Sequence, residues 1–330
     1  MLIRVCAFSN KGWNLYKQIE KLDREDVFES LQNEEIDEFL RSSFEYSLPI
    51  IFIGAVGIAV RKIAPFINNK LTDSPVIVID DMGKYVIPIL SGHVGGANEL
   101  ASRIAKLING TVVLTTSTDV NDKFAVDIFA KKNGLRIVNK DKIKSVSSKV
   151  LRDEIISIYT GEYESEKPED NQIVITNEAA IADVYIGKEN IEDALMLYPR
   201  EYVIGIGCKR DTEYSLIEKA VLGKLNELNI DIKDVAATAS IDLKSKEKGL
   251  LRFVSKYHIE YVTYSADELN DINGEFEESE FVKKTTGVGN VCERAAVRYA
   301  GLDSKIICHK ELKEEVTIAI VKRKVTIGNW

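Results

Sequence analysis

The sequence has little of what a metal site or a disulfide framework needs. It contains three histidines, His93, His258 and His309, and no two of them have the spacing at which one helix presents a pair of metal ligands. The cysteines form no C-x-x-C pair, and they are Cys6, Cys208, Cys292 and Cys308. This pattern favours a reducing compartment with free thiols and no metal held by the protein itself.

Long hydrophobic runs and an excess of basic residues are also absent. The longest apolar run, PIIFIGAVGIAV at residues 49–60, is too short to cross a bilayer. The N-terminal stretch MLIRVCAFSN turns polar too early for a signal peptide. Lys and Arg number 44 against 52 Asp and Glu, a net charge of -8, which argues against nucleic-acid binding. We therefore expect a soluble, cytoplasmic protein without nucleic-acid or membrane partners.

No nucleotide-binding fingerprint is complete. In SGHVGGANELA, residues 91–101, the glycines are not followed by Lys-Ser or Lys-Thr, so this is not a Walker A loop. In GIGCKRD the dinucleotide pattern that begins at Gly205 and Gly207 meets Arg210 where a third small residue is required. A nucleotide-dependent enzyme is thus disfavoured.

Short apolar runs alternate with helical patterns along much of the chain. Up to about residue 140, LIRVCAF, LPIIFIG, PVIVID, YVIPIL and TVVLTT predict strands. Between them, IAVRKIAPFI, NELASRIAKLI and FAVDIFAKKNG predict helices. The run PVIVIDDMGKYVIPIL predicts a hairpin that turns at Asp80–Gly83.

The alternation weakens in the middle of the chain and returns near its end. Residues 141–153 predict a helix, residues 159–172 a long surface loop, and QIVITN and VYIG short strands. From residue 202, strands at YVIGIGC, VAATASI, EYVTYS, KIICHK and VTIAIV alternate with helices at 215–228, 248–257 and 290–300. We predict a multidomain α/β protein in which two α/β domains with mixed, mostly parallel sheets (1–135 and 201–330) flank a small middle domain, 136–200.

The glycine-rich loop at residues 91–96 is the first candidate for chemistry. Such loops let backbone N–H groups approach an anion at a helix start, although glycines also simply permit tight turns. His93, between glycines after an apolar strand, is a candidate general base, or else a residue that bonds the loop backbone. Ser91 lacks a G-x-S-x-G elbow, so a serine hydrolase is disfavoured.

The remaining reactive residue types have structural interpretations. We expect His258 to be a surface or capping residue and His309 to be structural. Cys208 precedes Lys209 and Arg210, which would lower its pKa, but a small buried residue is the simpler interpretation. Asn290 and Glu293 have the spacing of a capping box, so Glu293 is structural first and catalytic second.

Taken together, the motifs resemble one family. GAVGIAVRKIAP, KLTDSPVIVIDDMGKYVIPILSGHVGGANELASRIA and TTSTD are similar to the N-terminal domain of CbiG proteins, the cobalt-precorrin-5A hydrolases of anaerobic cobalamin (vitamin B12) biosynthesis. GIGCKRDT, ASIDLKSKEKGLL, TGVGNVCERAA and VTIAI are similar to the CbiG C-terminal domain, which also resembles CobE. The resemblance covers about 45–130 and 202–321.

The resemblance implies a reaction. CbiG proteins hydrolyse the δ-lactone of a cobalt-containing contracted tetrapyrrole and release acetaldehyde, which yields cobalt-precorrin-5B. The cobalt is then carried in the substrate, and no cofactor is bound by the protein. Neighbouring methyltransferases of the pathway are further expected partners.

For this reaction we expect His93 to act as base, Ser91 and the backbone of residues 92–96 as oxyanion donors, and Asn98 and Glu99 as orienting groups. The expected substrate contacts are Gly54, Gly57, Arg61, Gly92, Gly95, Gly96, Asn98, Gly205, Gly207, Arg210, Thr238, Ser240, Asp242, Gly287 and Gly289. A basic lining for the substrate carboxylates is expected from Arg61, Lys62, Arg103, Lys209, Arg210 and Lys244.

Two other interpretations remain open. One is a non-catalytic tetrapyrrole carrier, and the other is a phosphate- or nucleotide-binding enzyme. We expect the macrocycle to lie between the two α/β domains.

Overall fold

A computed structural model describes residues 1–32, 35–69, 72–92, 95–115, 124–168, 170–328 and 330. The chain forms two compact units. Unit 1 comprises Met1–Asn121 and Lys248–His258, and unit 2 comprises Asp122–Glu247 and Ile259–Trp330. Among the described residues, no helix has the length and apolar character needed to cross a membrane.

Unit 1 is built on a mixed sheet with strand order β2-β1-β3-β4-β5-β6. Its strands are β1 (Leu2–Ala7), β2 (Val27–Ser30), β3 (Ile50–Ile53), β4 (Val76–Ile79), β5 (Tyr85–Leu90) and β6 (Thr111–Val112). Strands β1 to β4 are parallel, whereas β5 and β6 run in the opposite direction. We call the edge where β1, β3 and β4 end the carboxyl edge, and the edge where they begin the amino edge.

Side chains alternate between the two faces of this sheet, as pleated strands require. Ile51 and Ile53 of β3 belong to one apolar cluster and Ile50 and Phe52 to another. Helices cover both faces. They are α1 (Asn10–Leu22) and α4 (Ala97–Ile108) on the first, and α2 (Ile36–Glu45) and α3 (Val56–Ile63) on the second. Unit 1 is therefore a three-layer α/β/α sandwich.

The predicted hairpin between β4 and β5 is confirmed. The Asp80 carboxylate accepts the N–H groups of Met82 (2.9 Å) and Tyr85 (2.6 Å), and Gly83 has a φ of 68° that suits glycine. Because β5 runs back along β4, Leu90 pairs with Val76 at the start of β4. The loop that follows β5 therefore lies at the amino edge.

Unit 2 contains two larger sheets. The first has strand order β10-β8-β11-β12-β7, and its strands are β7 (Leu135–Ile137), β8 (Ile156–Tyr159), β10 (Ile173–Thr176), β11 (Val184–Ile186) and β12 (Leu195–Pro199). The second has order β15-β14-β13-β17-β16. Its strands are β13 (Tyr202–Cys208), β14 (Val235–Ile241), β15 (Glu260–Tyr264), β16 (Lys305–Lys313) and β17 (Val316–Lys322). Strands β13, β14 and β15 are parallel, and β17 is antiparallel to β13.

The other helices follow in chain order. They are α5 (Val126–Lys132), α6 (Ile143–Leu151), α7 (Tyr214–Glu227), α8 (Lys248–Lys256), α9 (Ala266–Asn270), α10 (Glu280–Thr286) and α11 (Val291–Ala300). Helix α8 belongs to unit 1, and the remaining ones belong to unit 2.

The α/β fold with mostly parallel sheets is confirmed, with local corrections. The helix predicted through Pro65 ends at Ile63, because proline removes a backbone donor and is disfavoured inside helices. The predicted surface loop at residues 159–172 contains strand β9 (Glu164–Ser165), which pairs with β18 (Thr326–Ile327). The three-domain division remains a prediction.

Candidate functional site

The glycine-rich loop after β5 is held by its own backbone and by the segment before β4. Ser91 has a φ of 54° and its hydroxyl donates to the Asp73 carbonyl at 2.9 Å. The N–H groups of Ala97 and Asn98 donate to the carbonyls of Ser91 (3.1 Å) and Gly92 (3.0 Å). These two N–H groups are thus already used within the loop. His93, the predicted base, lies outside the described residues.

Close packing explains two of the loop glycines. A Cβ atom at Gly95 would lie 2.5 Å from the Ser91 Cβ, and one at Gly92 would lie 2.7 Å from Oδ1 of Asn98. Asn98 is buried, so its predicted role in orienting a reacting group requires the loop to open. Glu99, one residue further, is exposed in the first turn of α4.

The predicted contacts of unit 1 fall on opposite edges of its sheet. Gly54 follows β3, and its N–H donates to the Ile79 carbonyl at the end of β4. Gly57 lies in the first turn of α3. Both therefore lie at the carboxyl edge, whereas Ser91 and Gly92, which directly follow β5, lie at the amino edge with Asp73. The length of β4 separates these two groups.

Most of the predicted basic lining is engaged in ion pairs. Lys62 pairs with Asp37, Arg103 with Asp23 and Asp26, Lys209 with Glu315, and Lys244 with Glu247. In the part of the chain that the structure describes, Arg61 and Arg210 form no ion pair, and both are exposed. These two arginines are the members of the set best suited to receive a ligand carboxylate.

In unit 2, Gly205 is a packing residue. A Cβ atom there would lie 1.8 Å from the Cys292 carbonyl oxygen, so the glycine allows α11 to approach β13 closely. Gly207, two residues on, has no atom nearer than Thr317 Cβ at 3.8 Å from such a Cβ position. Of the pair, Gly207 therefore has room for a methyl group, and Gly205 has none.

The motif TASID splits into buried and exposed parts. Thr238 and Ser240 are fully buried, and the Ser240 hydroxyl donates to the Ile206 carbonyl at 2.7 Å. The hydroxyl of Thr238 has no hydrogen-bond partner among the described residues. Asp242, just after β14, is exposed. Contact with a ligand is open to Asp242, whereas Thr238 and Ser240 would first have to become accessible.

The second glycine-rich turn leads into α11. Gly287 ends α10 with a φ of 79°, and Gly289 packs against Glu278. Asn290 caps α11, since its side-chain oxygen accepts the Glu293 N–H at 3.1 Å. The Gly turn and the cap are as predicted.

The second bond of the predicted capping box, from the Asn290 N–H to the Glu293 carboxylate, is wrong. The carboxylate of Glu293, 1% exposed, accepts the backbone N–H of Lys310 at 2.5 Å and lies 3.5 Å from Nδ1 of His309. The Glu293 carboxylate therefore contacts strand β16 and does not bond the N–H of Asn290. It is buried between α11 and this strand, where the strand N–H is the nearer partner. His309 is itself largely exposed.

Among the described residues, Cys208 and His258 lie in structural environments. Burial raises the pKa of the Cys208 thiol, so the small-residue interpretation fits and a reactive thiolate does not. His258 is exposed and follows α8 with a φ of 51°, as a capping residue does. Within the described ranges, no group of three or more His, Cys, Asp and Glu side chains could hold a metal ion.

Comparison with known proteins gives three consecutive family matches. Residues 38–119 match the model of the cobalamin synthesis G N-terminal region, residues 124–199 the cobalamin biosynthesis central region, and residues 202–321 the cobalamin synthesis G C-terminus. The cobalt-precorrin-5A hydrolase of Priestia megaterium is 36% identical over 301 residues, which cover 85% of this chain and 80% of the relative. This chain belongs to the CbiG family.

Solved structures include a CbiG homologue. The cobalamin biosynthesis protein G homologue of Sulfolobus solfataricus is 23% identical with a TM-score of 0.42, covering 97% of this chain and 96% of its own. CobE, from the cobalamin biosynthetic pathway, is 24% identical with a TM-score of 0.36, covering 38% of this chain and 91% of its own.

Sequence reasoning missed a charged cluster in unit 1. Arg4, Lys248 and Arg252 surround the Glu29 carboxylate at 2.7, 2.8 and 3.2 Å, beside a cavity of about 640 Å³. Burial opposes the charged form, but bonds from Lys248 and Arg4 and the charge of Arg252 outweigh it, lowering the pKa of Glu29 to about 2. Residues so far apart in sequence carry no local pattern that would have revealed the cluster.

Proposed function

We propose that this CbiG protein hydrolyses the δ-lactone of cobalt-precorrin-5A, with release of acetaldehyde, to give cobalt-precorrin-5B in anaerobic cobalamin biosynthesis. The observation that carries the proposal is the 36% identity to a cobalt-precorrin-5A hydrolase over most of both chains. The match of all three family segments in order supports the same assignment.

Lactone opening requires an activated water and donors for the oxyanion that forms as the water adds to the carbonyl. In the proposed mechanism His93 takes a proton from the water, whose oxygen adds to the lactone carbonyl, and the lactone C–O bond then breaks to leave a carboxylate and an alcohol. Loss of the alcohol proton then breaks the carbon–carbon bond to the macrocycle, so the two-carbon fragment leaves as acetaldehyde and the macrocycle carbon takes up a proton. The Ser91 hydroxyl already donates a hydrogen bond to the backbone carbonyl of Asp73, so the backbone N–H groups of residues 92–96 are the preferred oxyanion donors. Glu99, exposed at the start of α4, is proposed to orient the base or the water.

We further propose that the cobalt enters and leaves with the tetrapyrrole and that the protein needs no cofactor of its own. Hydrolysis of a lactone requires a base and polar donors, and these are side-chain and backbone groups. Neighbouring methyltransferases of the pathway are the proposed partners that supply the substrate or receive the product.

An anaerobic turnover assay tests the function. Wild-type protein is mixed with cobalt-precorrin-5A, acetaldehyde is followed with a coupled dehydrogenase, and product mass is read in parallel. We expect both signals to rise together. His93→Asn is expected to lower kcat by about 10²–10⁴-fold, because general base catalysis contributes about that much. The matched variant His258→Asn should leave kcat within about twofold.

The outcomes separate the alternatives. Substrate bound tightly and recovered unaltered would replace the hydrolase with a tetrapyrrole carrier. Thermal stabilisation by nucleotides but not by corrinoids would favour a nucleotide-binding enzyme. Normal turnover by His93→Asn would leave the reaction in place and remove His93 from the proposed mechanism.

A further inference from the structure

The unit 1 sheet changes its winding direction between β1 and β3. The chain passes from β1 outward to β2, then returns across β1 to β3 and continues to β4. Helix α1, between β1 and β2, covers one face, whereas α2 and α3, which follow the reversal, cover the other. In open α/β sheets, ligands bind outside the carboxyl ends of the strands at such a reversal.

An apolar surface occupies this position. Phe8 directly follows β1 and is 45% exposed, and Val56 and Ile58 at the start of α3 are 38% and 40% exposed. The Phe8 ring lies 3.6 Å from the position of a Cβ atom at Gly54, and it stacks on Phe52 with ring centroids 6.2 Å apart. Phe8 thus lies against Gly54, the first residue of the segment that carries Val56 and Ile58.

A cation lies beside the surface. The Arg61 guanidinium donates to the Gly57 carbonyl at 3.4 Å, and among the described residues it has no carboxylate partner. The surface therefore combines an exposed aromatic ring, two glycines and exposed aliphatic side chains with an exposed positive charge. Contiguous exposed apolar residues of this kind mark ligand or partner sites.

From these contacts we infer that Phe8, Gly54, Val56, Gly57 and Ile58 form a platform for one face of the cobalt tetrapyrrole, with Arg61 receiving a carboxylate from its rim. The inference rests on the proposed function. A conjugated macrocycle stacks on an aromatic ring and on bare backbone, and its acetate and propionate groups complement an arginine. The position at the sheet reversal favours a small ligand over a protein partner.

Matched pairs of variants test the platform. Phe8→Ala is compared with Phe281→Ala, whose ring is 79% exposed in unit 2, and Ile58→Ser with Ile181→Ser, 62% exposed in unit 2. Each protein is assayed for KM and kcat with cobalt-precorrin-5A, and for Kd by equilibrium dialysis against cobalt uroporphyrin, a stable flat cobalt tetrapyrrole with carboxylate side chains. Circular dichroism confirms that each variant is folded.

We expect Phe8→Ala to raise KM and Kd by about tenfold and Ile58→Ser by about threefold, with kcat changed less than twofold, because stacking holds the ring without taking part in bond breaking. The two unit 2 variants should stay within twofold of wild type. Arg61→Gln should raise Kd for cobalt uroporphyrin and lose the salt dependence of binding that the wild type shows.

The outcomes for the platform and for the reaction are distinguishable. Wild-type turnover with unchanged KM and Kd in Phe8→Ala and Ile58→Ser overturns the platform and leaves the hydrolase intact. Loss of dialysis binding in these variants without turnover by any protein supports the platform and overturns the hydrolase. If wild-type protein neither binds nor converts either tetrapyrrole, both proposals fail, and a protein partner becomes the better occupant of the surface.

Discussion

Two helices of this protein begin after glycine-rich turns with a glutamate at their third position, yet the two glutamates have opposite environments. Glu99 of α4 is exposed, whereas Glu293 of α11 is buried and bonded to strand β16. In unit 1, hydrogen bonds within the loop and to the Asp73 carbonyl hold the glycine-rich turn. In unit 2, the glutamate that follows the turn bonds to the sheet. A shared pattern at a helix start therefore says little about whether the side chains there meet solvent, ligand or core.

Gly205→Ala tests whether the sheet holds α11 and should have the largest effect. The new methyl group would collide with the Cys292 carbonyl and force α11 away from β13, so we expect a loss of about 3 kcal/mol or more in the free energy of unfolding. Gly207→Ala, with room for its Cβ, should cost less than about 1 kcal/mol. Urea denaturation of both variants measures the two losses. Equal values would mean that α11 is not held by close packing.

Acid is expected to lower the stability of unit 1 by protonating the Glu29 carboxylate. The pKa of Glu29 in unit 1 is about 2 in the folded protein and 4.5 in the unfolded reference, so its contribution is present above pH 4.5 and lost as pH falls from 4.5 to 2. We expect this contribution to be on the order of 3 kcal/mol at neutral pH. Denaturation of wild type and Glu29→Gln across this range measures it. The glutamine variant should show a shallower acid dependence, and parallel curves would contradict the assignment.

Glu293→Ala should destabilise the protein by about 1–3 kcal/mol, because the partly buried backbone N–H of Lys310 loses its acceptor. Glu99→Ala, at the same position of an exposed helix start, should change stability by less than about 0.5 kcal/mol. Differential scanning calorimetry of the two variants, with Glu293→Gln as the variant that keeps an acceptor oxygen, measures the contrast. Equal Tm values for the two alanine variants would contradict the expected difference between the two helix starts.

Exchanging the N-cap residues of the two helices, Gly96 of α4 and Asn290 of α11, is expected to change stability least. Gly96→Asn should cost less than about 0.5 kcal/mol, since asparagine tolerates the φ of 86° found there. Asn290→Gly should cost about 1 kcal/mol, because it removes two hydrogen bonds. The Asn290 side chain accepts one from the Glu293 N–H and donates the other to the Glu277 carbonyl at 3.2 Å. Thermal unfolding measures both, and a larger loss at Gly96 would reverse the expected order.

The sequence predicts those strands and helices whose apolar period is regular. Strands β13 and β14 and helix α4 lie where the pattern places them, within a residue or so. Helices α1 and α2 and strand β2 were missed. In α1 the apolar residues are interleaved with lysines and other polar side chains, and the short β2 is only half-buried, so neither stands out from its polar neighbours.

The site is less predictable than the fold because it depends on which edge or face each loop reaches. The reversal at β5 places Ser91 and Gly92 at the edge opposite Gly54. Strand β14 is buried on both faces, so Thr238 and Ser240 lie in the core. Phe8 ends the first strand pattern and precedes the N-terminal family segment, so neither periodicity nor resemblance singled it out. Only the strand order shows that it lies beside Gly54.

The antiparallel hairpin of unit 1 also has an electrostatic consequence. Helix α1 begins at the carboxyl edge, whereas α4, on the same face, begins at the amino edge. Their macrodipoles oppose each other, so each edge of the sheet has one positive helix end from this face. On the other face, α2 and α3 follow the parallel strands β2 and β3 and also begin at the carboxyl edge. The positive helix ends of unit 1 therefore favour an anion at the carboxyl edge over one at the amino edge.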